Sequence, residues 1–436
     1  MIQLVSLLGA LLVGTGLQVW LPRRPGAPAR LLATCLWGIL GTGLWLMTLT
    51  LSGLRWSPAL LAVPPAMGAL LLAAARARRV SLRTLHDGQG WDRRRWALVA
   101  AGAALSHAVV IAALPAFGWD FRYIWGLKAR VTAATGGHVA AWLAWPGHAF
   151  AHPDYPPLWP DLIAGAVTLG ADAARSASLW QGVLALALAA ACWYAAAGAP
   201  PRRRALAAIA GAWSPVIFLP CYSGYAEPLL ALAVAITFGG LVRLAEGQEG
   251  ALLVTAAGLA TMSLTKNEGL VLALAALVGA SLTLPRRWSR WLAIALVPAL
   301  LWWVFLLVHG IGGETFDIRP AFVATRVIEL PAALGGAMAG DLPLVALVWL
   351  LVLPALVGSE LRATRITLTL WGLAVLATYL VGVSPIAWRM ANSLDRVLAT
   401  PLAATLALAL RGCASRRPRG GGPPSPAVMP GPAPSG

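Results

Sequence analysis

Residues 226–284 read AEPLLALAVAITFGGLVRLAEGQEGALLVTAAGLATMSLTKNEGLVLALAALVGASLTL. Three apolar runs, 226–244, 250–264 and 267–284, follow one another with only short polar connectors. A membrane-spanning helix needs about 20 mainly apolar residues, and runs this dense leave no polar face for water to cover. The stretch predicts an all-α polytopic membrane protein. Its last two runs are parted only by LTKNEG (264–269), so they form either a tight hairpin or one broken helix.

Working outward by the same measure, further spans fall near 2–21, 31–52, 59–75, 96–117, 177–198, 205–221, 290–309, 342–358, 366–384 and 397–411. The expected total is about 13 transmembrane helices, in the range 11–13. Composition agrees: of 436 residues, 59% are hydrophobic and 11% charged, against about 25% charged in a soluble domain. The net charge of +17 would suit a nucleic-acid partner if it formed one solvated stripe. Here the arginines punctuate apolar runs of lipid length, which argues against nucleic acid. Cys35, Cys192, Cys221 and Cys413 are scattered without paired spacing, so neither a disulfide framework nor a zinc ribbon fits. The opening MIQLVSLLGALLVGTGLQVWLPRR has its arginines after the apolar stretch and reads as a retained span with its N-terminus outside.

Orientation follows from the basic residues, because loops on the cytoplasmic side retain Lys and Arg. With 76–95 inside, alternation also places 22–30, 199–204, 242–249, 285–290, 359–365 and the C-terminal end from Arg411 inside, and these hold 23 of the 33 basic residues. Both lysines of the chain, Lys128 and Lys266, fall outside, as do 11 of the 16 acids. The outer side is therefore the chemically furnished one. The segment 157–170 is apolar but short, and is expected to lie on or dip into the outer interface. Long outer loops then run over 118–176 and 310–341. Residues 1–95 form three N-terminal transmembrane helices with a basic cytoplasmic loop, 96–411 a transmembrane region carrying the outer loops, and 412–436 a disordered Pro/Gly-rich tail.

The residues able to carry chemistry lie on that outer side. Asp120, in AFGWDFRYIWGLKAR (116–130), sits where a helix leaves the membrane. A half-desolvated carboxylate there has an adjustable proton affinity and suits a general base; pairing with Arg122 or Lys128 is the structural alternative. HAFAHPDYPPLWPDL (148–162) brings His148, His152, Asp154, Tyr155 and Asp161 together around prolines that keep the chain out of helix. These groups suit a sugar, a phosphate or a divalent metal, and a rigid turn seating the next helix is the alternative. Tyr222, Tyr225 and Glu227 open an inbound span. Lys266, Asn267 and Glu268 lie between apolar runs, where ionisable groups are costly and functional, unless Lys266 and Glu268 only satisfy each other. Arg389, Asp395 and Arg396 stand at the mouth of the final span, where arginine suits bidentate phosphate binding or simple snorkelling. No Walker loop, HExxH, GxSxG or dinucleotide fingerprint occurs.

In order and topology these motifs resemble the polytopic GT-C superfamily of glycosyltransferases, which includes protein O-mannosyltransferases and lipid A aminoarabinose transferases. Asp120 in FGWDFRYIWGLKAR is similar to the acid of that family's first outer loop, and HPDYPPLWP (152–160) to its His/Tyr-Pro-Pro-Leu element. The span ending in Arg202, Arg203 and Arg204 follows. LTKNEG resembles a Leu-Thr-Lys-x-x-Gly element between two helices, and Arg396 to Pro401 a late Arg-Val-Leu-x-x-Pro element. The resemblance covers about 96–411. Three spans precede it where the family begins close to the N-terminus, and the large C-terminal soluble domain of bacterial oligosaccharyltransferases has no counterpart, which argues against a peptide sequon acceptor.

The resemblance implies inverting transfer of a sugar from a polyprenyl-phosphate donor to a hydroxyl of a lipid, glycan or protein acceptor at the outer leaflet. Asp120 would be the base, Lys266 and Arg396 would hold the donor phosphate, and His152, Asp154, Tyr155, Tyr225 and Glu227 would bind sugar or acceptor. A divalent metal (Mg or Mn) at Asp120 and Asp154 is compatible with this chemistry but not required by it. The implied location is a bacterial inner (plasma) membrane, with the site periplasmic or extracellular and the C-terminus cytoplasmic. Two competitors use the same residues: a transporter or lipid-linked glycan flippase, with Lys266 and Glu268 as translocation-site ions, and an envelope scaffold that would tolerate loss of Asp120.

Overall fold

A computed structural model of the chain describes residues 2–19, 27–77, 91–217, 224–313, 316–339 and 342–415. The basic stretches at 22–26 and 78–90, Cys221, Tyr222 and the Pro/Gly tail from 416 lie outside the described residues. Among those described the protein is helical, with no strand and one isolated bridge between Phe316 and Gly382. Helices of nine residues or more are α1 Ile2–Val19, α2 Ala27–Leu51, α3 Val63–Ala77, α4 Trp91–Ala113, α5 Gly126–Thr135, α6 Leu158–Thr168, α7 Ala173–Ala195, α8 Pro201–Ile217 and α9 Glu227–Ala245. They continue with α10 Leu252–Thr265, α11 Asn267–Thr283, α12 Arg286–Ile294, α13 Val297–Val308, α14 Pro320–Ala337, α15 Leu342–Val352, α16 Arg362–Val381, α17 Ile386–Ala399 and α18 Leu402–Ser415.

By length and composition, seven helical segments among the described residues can cross a membrane, or nine if each of two bent pairs is one crossing. The seven are Leu32–Leu51, Pro58–Ala77, Asp92–Ala113, Ala173–Ala195, Glu227–Ala245, Ser359–Val381 and Ile386–Gly412. Three more apolar helices, Val5–Val19, Glu249–Thr265 and Asn267–Thr283, are shorter. The reason is visible at 264–269: the chain is extended at Lys266 (φ −153°, ψ 162°), so what the sequence leaves open as hairpin or broken helix is two helices of 14 and 17 residues.

Small residues set the closest approaches. In α1, a Cβ at Gly14 would collide with the Thr34 carbonyl of α2, and one at Gly16 would come within 2.6 Å of the Gly68 carbonyl of α3. The centre is α9, buried along almost its whole length and packed on α7, α10 and α18. Its enclosure explains why its first residue, Glu227, is also buried.

Two of the segments expected on the outer side depart from expectation. The helix expected at the interface, α6, is buried from Leu158 to Ala166 and enclosed by α2, α5, α7 and α10. It is apolar on all sides, and its one acid, Asp161, has its own partner in His138 at 2.5 Å. The second outer loop, 310–341, contains the 18-residue α14 packed on α17. There Arg326 is held by Glu329 and by the carbonyls of Val383 and Ser384.

Candidate active site

Helix α4 ends at Ala113, two residues before Pro115, which has no N–H to continue the ladder. The chain resumes as a single wide π turn, Phe121–Trp125, with Asp120 capping its start, and runs on into α5. Such turns alter the side-chain register and recur at functional sites. Glu227 opens α9 beside Pro228, at the helix end whose dipole favours a carboxylate. Lys266 occupies the break between α10 and α11, and Arg396 lies in the last turn of α17.

These four segments meet. Arg396 Nη1 is 2.7 Å from Asp120 Oδ2 and 3.5 Å from Glu227 Oε1. Lys266 Nζ is 3.1 Å from the same Glu227 oxygen and 3.7 Å from Glu268 Oε1. Arg396 Nη2 donates to the Asn392 carbonyl, and its guanidinium carbon stands 5.1 Å from the centre of the Tyr225 ring. The backbone N–H of Asp120 donates to Tyr225 Oη at 3.4 Å. Three carboxylates therefore face two cations, leaving one surplus negative charge. Burial disfavours the Lys266 ammonium, but Glu227 and Glu268 outweigh it and hold its proton affinity above the ordinary value. The pocket between Glu227, Lys266, Glu268, Trp371 and Thr400 has about 10 Å³ of free space, room for one water. Ion pairs fill it.

A second buried group adjoins the first. The Tyr155 ring stacks on Trp125 and His152, and the Nζ atoms of Lys128 and Lys266 approach it to 5.7 and 5.6 Å. Both lysines of the chain thus converge on one tyrosine. Lys128 donates to the carbonyl of His152, a residue in the left-handed region (φ 47°) and alone there among the described non-glycine residues. Burial pushes the Lys128 ammonium down to about 7, against the pull of Asp154 and Asp161. It also lowers the His152 imidazole, where Asp154 pulls the other way and Lys128 adds to the lowering. Asp154 Oδ2 accepts from Asn267 Nδ2 at 2.5 Å, and its carbonyl accepts from Trp302 Nε1 at 3.3 Å. Asn267 adjoins Lys266 in sequence, so this bond ties the two groups together.

The structure thus brings Asp120, Tyr225, Glu227, Lys266 and Arg396 into one network, with His152, Asp154 and Tyr155 against it. The partner of Asp120 is Arg396, not its neighbours Arg122 or Lys128, because the π turn aims the carboxylate across the bundle. Lys266 is nearer to Glu227 than to Glu268. His148 is elsewhere: its ring stacks on Trp142 at 4.2 Å and shares a hydrogen bond with that residue's carbonyl. Arg389 donates to the Thr378 carbonyl and joins α16 to α17. Sequence reasoning missed Gln181 and Trp159. Gln181, fully buried in α7, bonds the Tyr225 carbonyl and the Gly224 N–H, and Trp159 Nε1 donates to the Gly224 carbonyl. Together they fix the turn carrying Tyr225, and a lone polar Gln inside an apolar run was the available signal.

The donor set does not fit a divalent metal at Asp120 and Asp154. Each carboxylate has its own partner, Arg396 and Asn267, and no group of three or more His, Cys, Asp or Glu side chains among the described residues is arranged to hold an ion. The chain matches no family model, no curated protein and no solved structure. The resemblance to GT-C enzymes therefore stands on the quoted motifs.

Proposed function

We propose that the protein is an integral membrane glycosyltransferase that moves a sugar from a polyprenyl-phosphate donor to an acceptor hydroxyl at the outer face, with inversion. The observation that carries this reading is the Asp120–Arg396–Glu227–Lys266 network, drawn from four distant segments into one cluster with Glu227 and Lys266 buried. The acceptor oxygen attacks the anomeric carbon, its proton passes to Asp120, and the bond from that carbon to the phosphate oxygen breaks. Charge on the departing phosphate is stabilised by Arg396, with Lys266 behind it. Because the free space beside Lys266 is only water-sized, a phosphate that reaches this lysine must take the place of a carboxylate. Displacing Asp120 from Arg396 would free the base once the donor is bound. His152, Asp154 and Tyr155 hold sugar or acceptor. The reading includes 11–13 crossings of a bacterial inner (plasma) membrane, with α1, α10 and α11 completing the count, a periplasmic or extracellular site and a cytoplasmic C-terminus.

The test is turnover by the purified full chain with a panel of polyprenyl-phosphate hexoses and pentoses, followed as release of polyprenyl phosphate. Asp120→Asn is expected to lose about 100- to 10,000-fold in rate while keeping its thermal stability. Near-normal turnover in that variant would remove Asp120 as the base. One observation favours a second reading, transport or flipping of a lipid-linked glycan: the helix break at Lys266, with buried ion pairs around it, is the form a translocation site takes. A flippase would move the donor across vesicles with its glycosyl-phosphate bond intact.

A further inference from the structure

Away from the active-site cluster, α12 (Arg286–Ile294, RRWSRWLAI) is a short helix with two unlike faces. Trp288, Ser289 and Leu292 are buried against α10 and α11. Arg286, Arg287, Arg290, Trp291 and Ile294 are exposed, Trp291 by 61% and Ile294 by 56%. The helix bends by 42° into α13, an apolar helix with Leu300, Val304, Leu307 and Val308 exposed. This is the form of a helix lying in the membrane surface and leading into a helix within it.

Between α12 and the start of α10 runs a groove of about 440 Å³, with Arg287, Trp288 and Trp291 on one side and Glu249, Leu252 and Leu253 on the other. Arg287 lines it and pairs with Glu249 at 2.7 Å, both side chains well exposed, while Arg286 and Arg290 are exposed on the same helix beside it. Among the described residues Arg286 and Arg290 have no ion-pair partner. The helix's own electrostatics do not account for them either, since cations in a first turn oppose the dipole. The positive-inside asymmetry puts this segment with 23 of the 33 basic residues, on the side away from the active-site cluster.

We propose that the α12 groove is a binding site for the anionic phospholipid of that leaflet, its phosphate held by Arg286, Arg287 and Arg290 and its glycerol and upper acyl chains lying on Trp291, Leu253 and Ile294. An anionic lipid satisfies the unpaired charge and covers the apolar wall at once. A soluble anion would leave Trp291, Leu253 and Ile294 in water, and a zwitterionic lipid would set its own cation against the arginines. The site would anchor the break between α11 and α13 in the membrane surface.

The experiment is native mass spectrometry of the full chain released from detergent containing equal phosphatidylglycerol and phosphatidylcholine. Phosphatidylglycerol is expected to be retained preferentially, and R286Q/R287Q/R290Q to weaken that retention by about tenfold or more, given the share each arginine contributes near an anionic surface. Because the triple variant can fail to fold, Arg290→Gln alone, at an exposed position, is measured beside it and is expected to lose severalfold. Equal retention of the two lipids, or unchanged phosphatidylglycerol retention in Arg290→Gln, overturns the proposal. Glycerol phosphate competing as well as the intact lipid also overturns it, because the apolar half of the groove would then contribute nothing.

Discussion

Lys128 shows what burial does to a single charge. It is 2% exposed, has one carbonyl and two aromatic rings for company, and titrates near 7, well below its ordinary 10.5. Between those two pH values the unfolded chain holds the proton and the folded one does not, so stability is expected to rise with pH from about 7 towards 10.5. The contribution is at most about 5 kcal/mol. Thermal unfolding in detergent across that range checks it. Lys128→Met should flatten the slope and raise the midpoint at pH 6, and a wild-type midpoint that falls over the range would count against the assignment. The sequence marks Lys128 as one of only two lysines, both expected on the outer side. That the two share a tyrosine was not legible, since nothing local connects residue 128 to residue 266.

At the scale of elements, the site depends on where helices begin and end. Proline after α4, the extended residue between α10 and α11, and the first turn of α9 each leave an ionisable side chain at a helix terminus facing the same space. Glu227 is the joint, because one of its oxygens serves both Lys266 and Arg396. Glu227→Gln should cost roughly 3 kcal/mol, since buried Lys266 loses its nearer carboxylate at 3.1 Å and keeps only Glu268 at 3.7 Å; a thermal midpoint equal to wild type would refute that. Arg396→Ala, at the end of α17, should weaken donor binding by about tenfold or more and acceptor binding much less. Equilibrium binding of a polyprenyl-phosphate sugar measures the first, and an unchanged affinity would sink the phosphate role. Helix positions were readable in advance from apolar runs and prolines. The burial of α6 was not, because an apolar segment of 11 residues looks the same whether it faces lipid or other helices.

For the whole molecule, the testable statement is orientation. In a cysteine-free background, a thiol at exposed Arg55→Cys should react with an impermeant reagent added outside, and one at exposed Gln248→Cys only after the membrane is opened. The reverse pattern would turn the protein over and move the Asp120–Arg396–Glu227–Lys266 cluster to the other leaflet. By itself the sequence determined the solvent and the helices, because hydrophobic run length is a local property that a bilayer reads directly. It also determined which side chains were out of place, since an ionisable group in an apolar run is conspicuous wherever the chain goes. Only the tertiary structure decided their partners. A buried charge takes the nearest opposite charge in space, so Asp120 meets Arg396 across 276 positions of sequence rather than Arg122 beside it. That choice depends on how the bundle folds back on itself, which no window of the sequence contains.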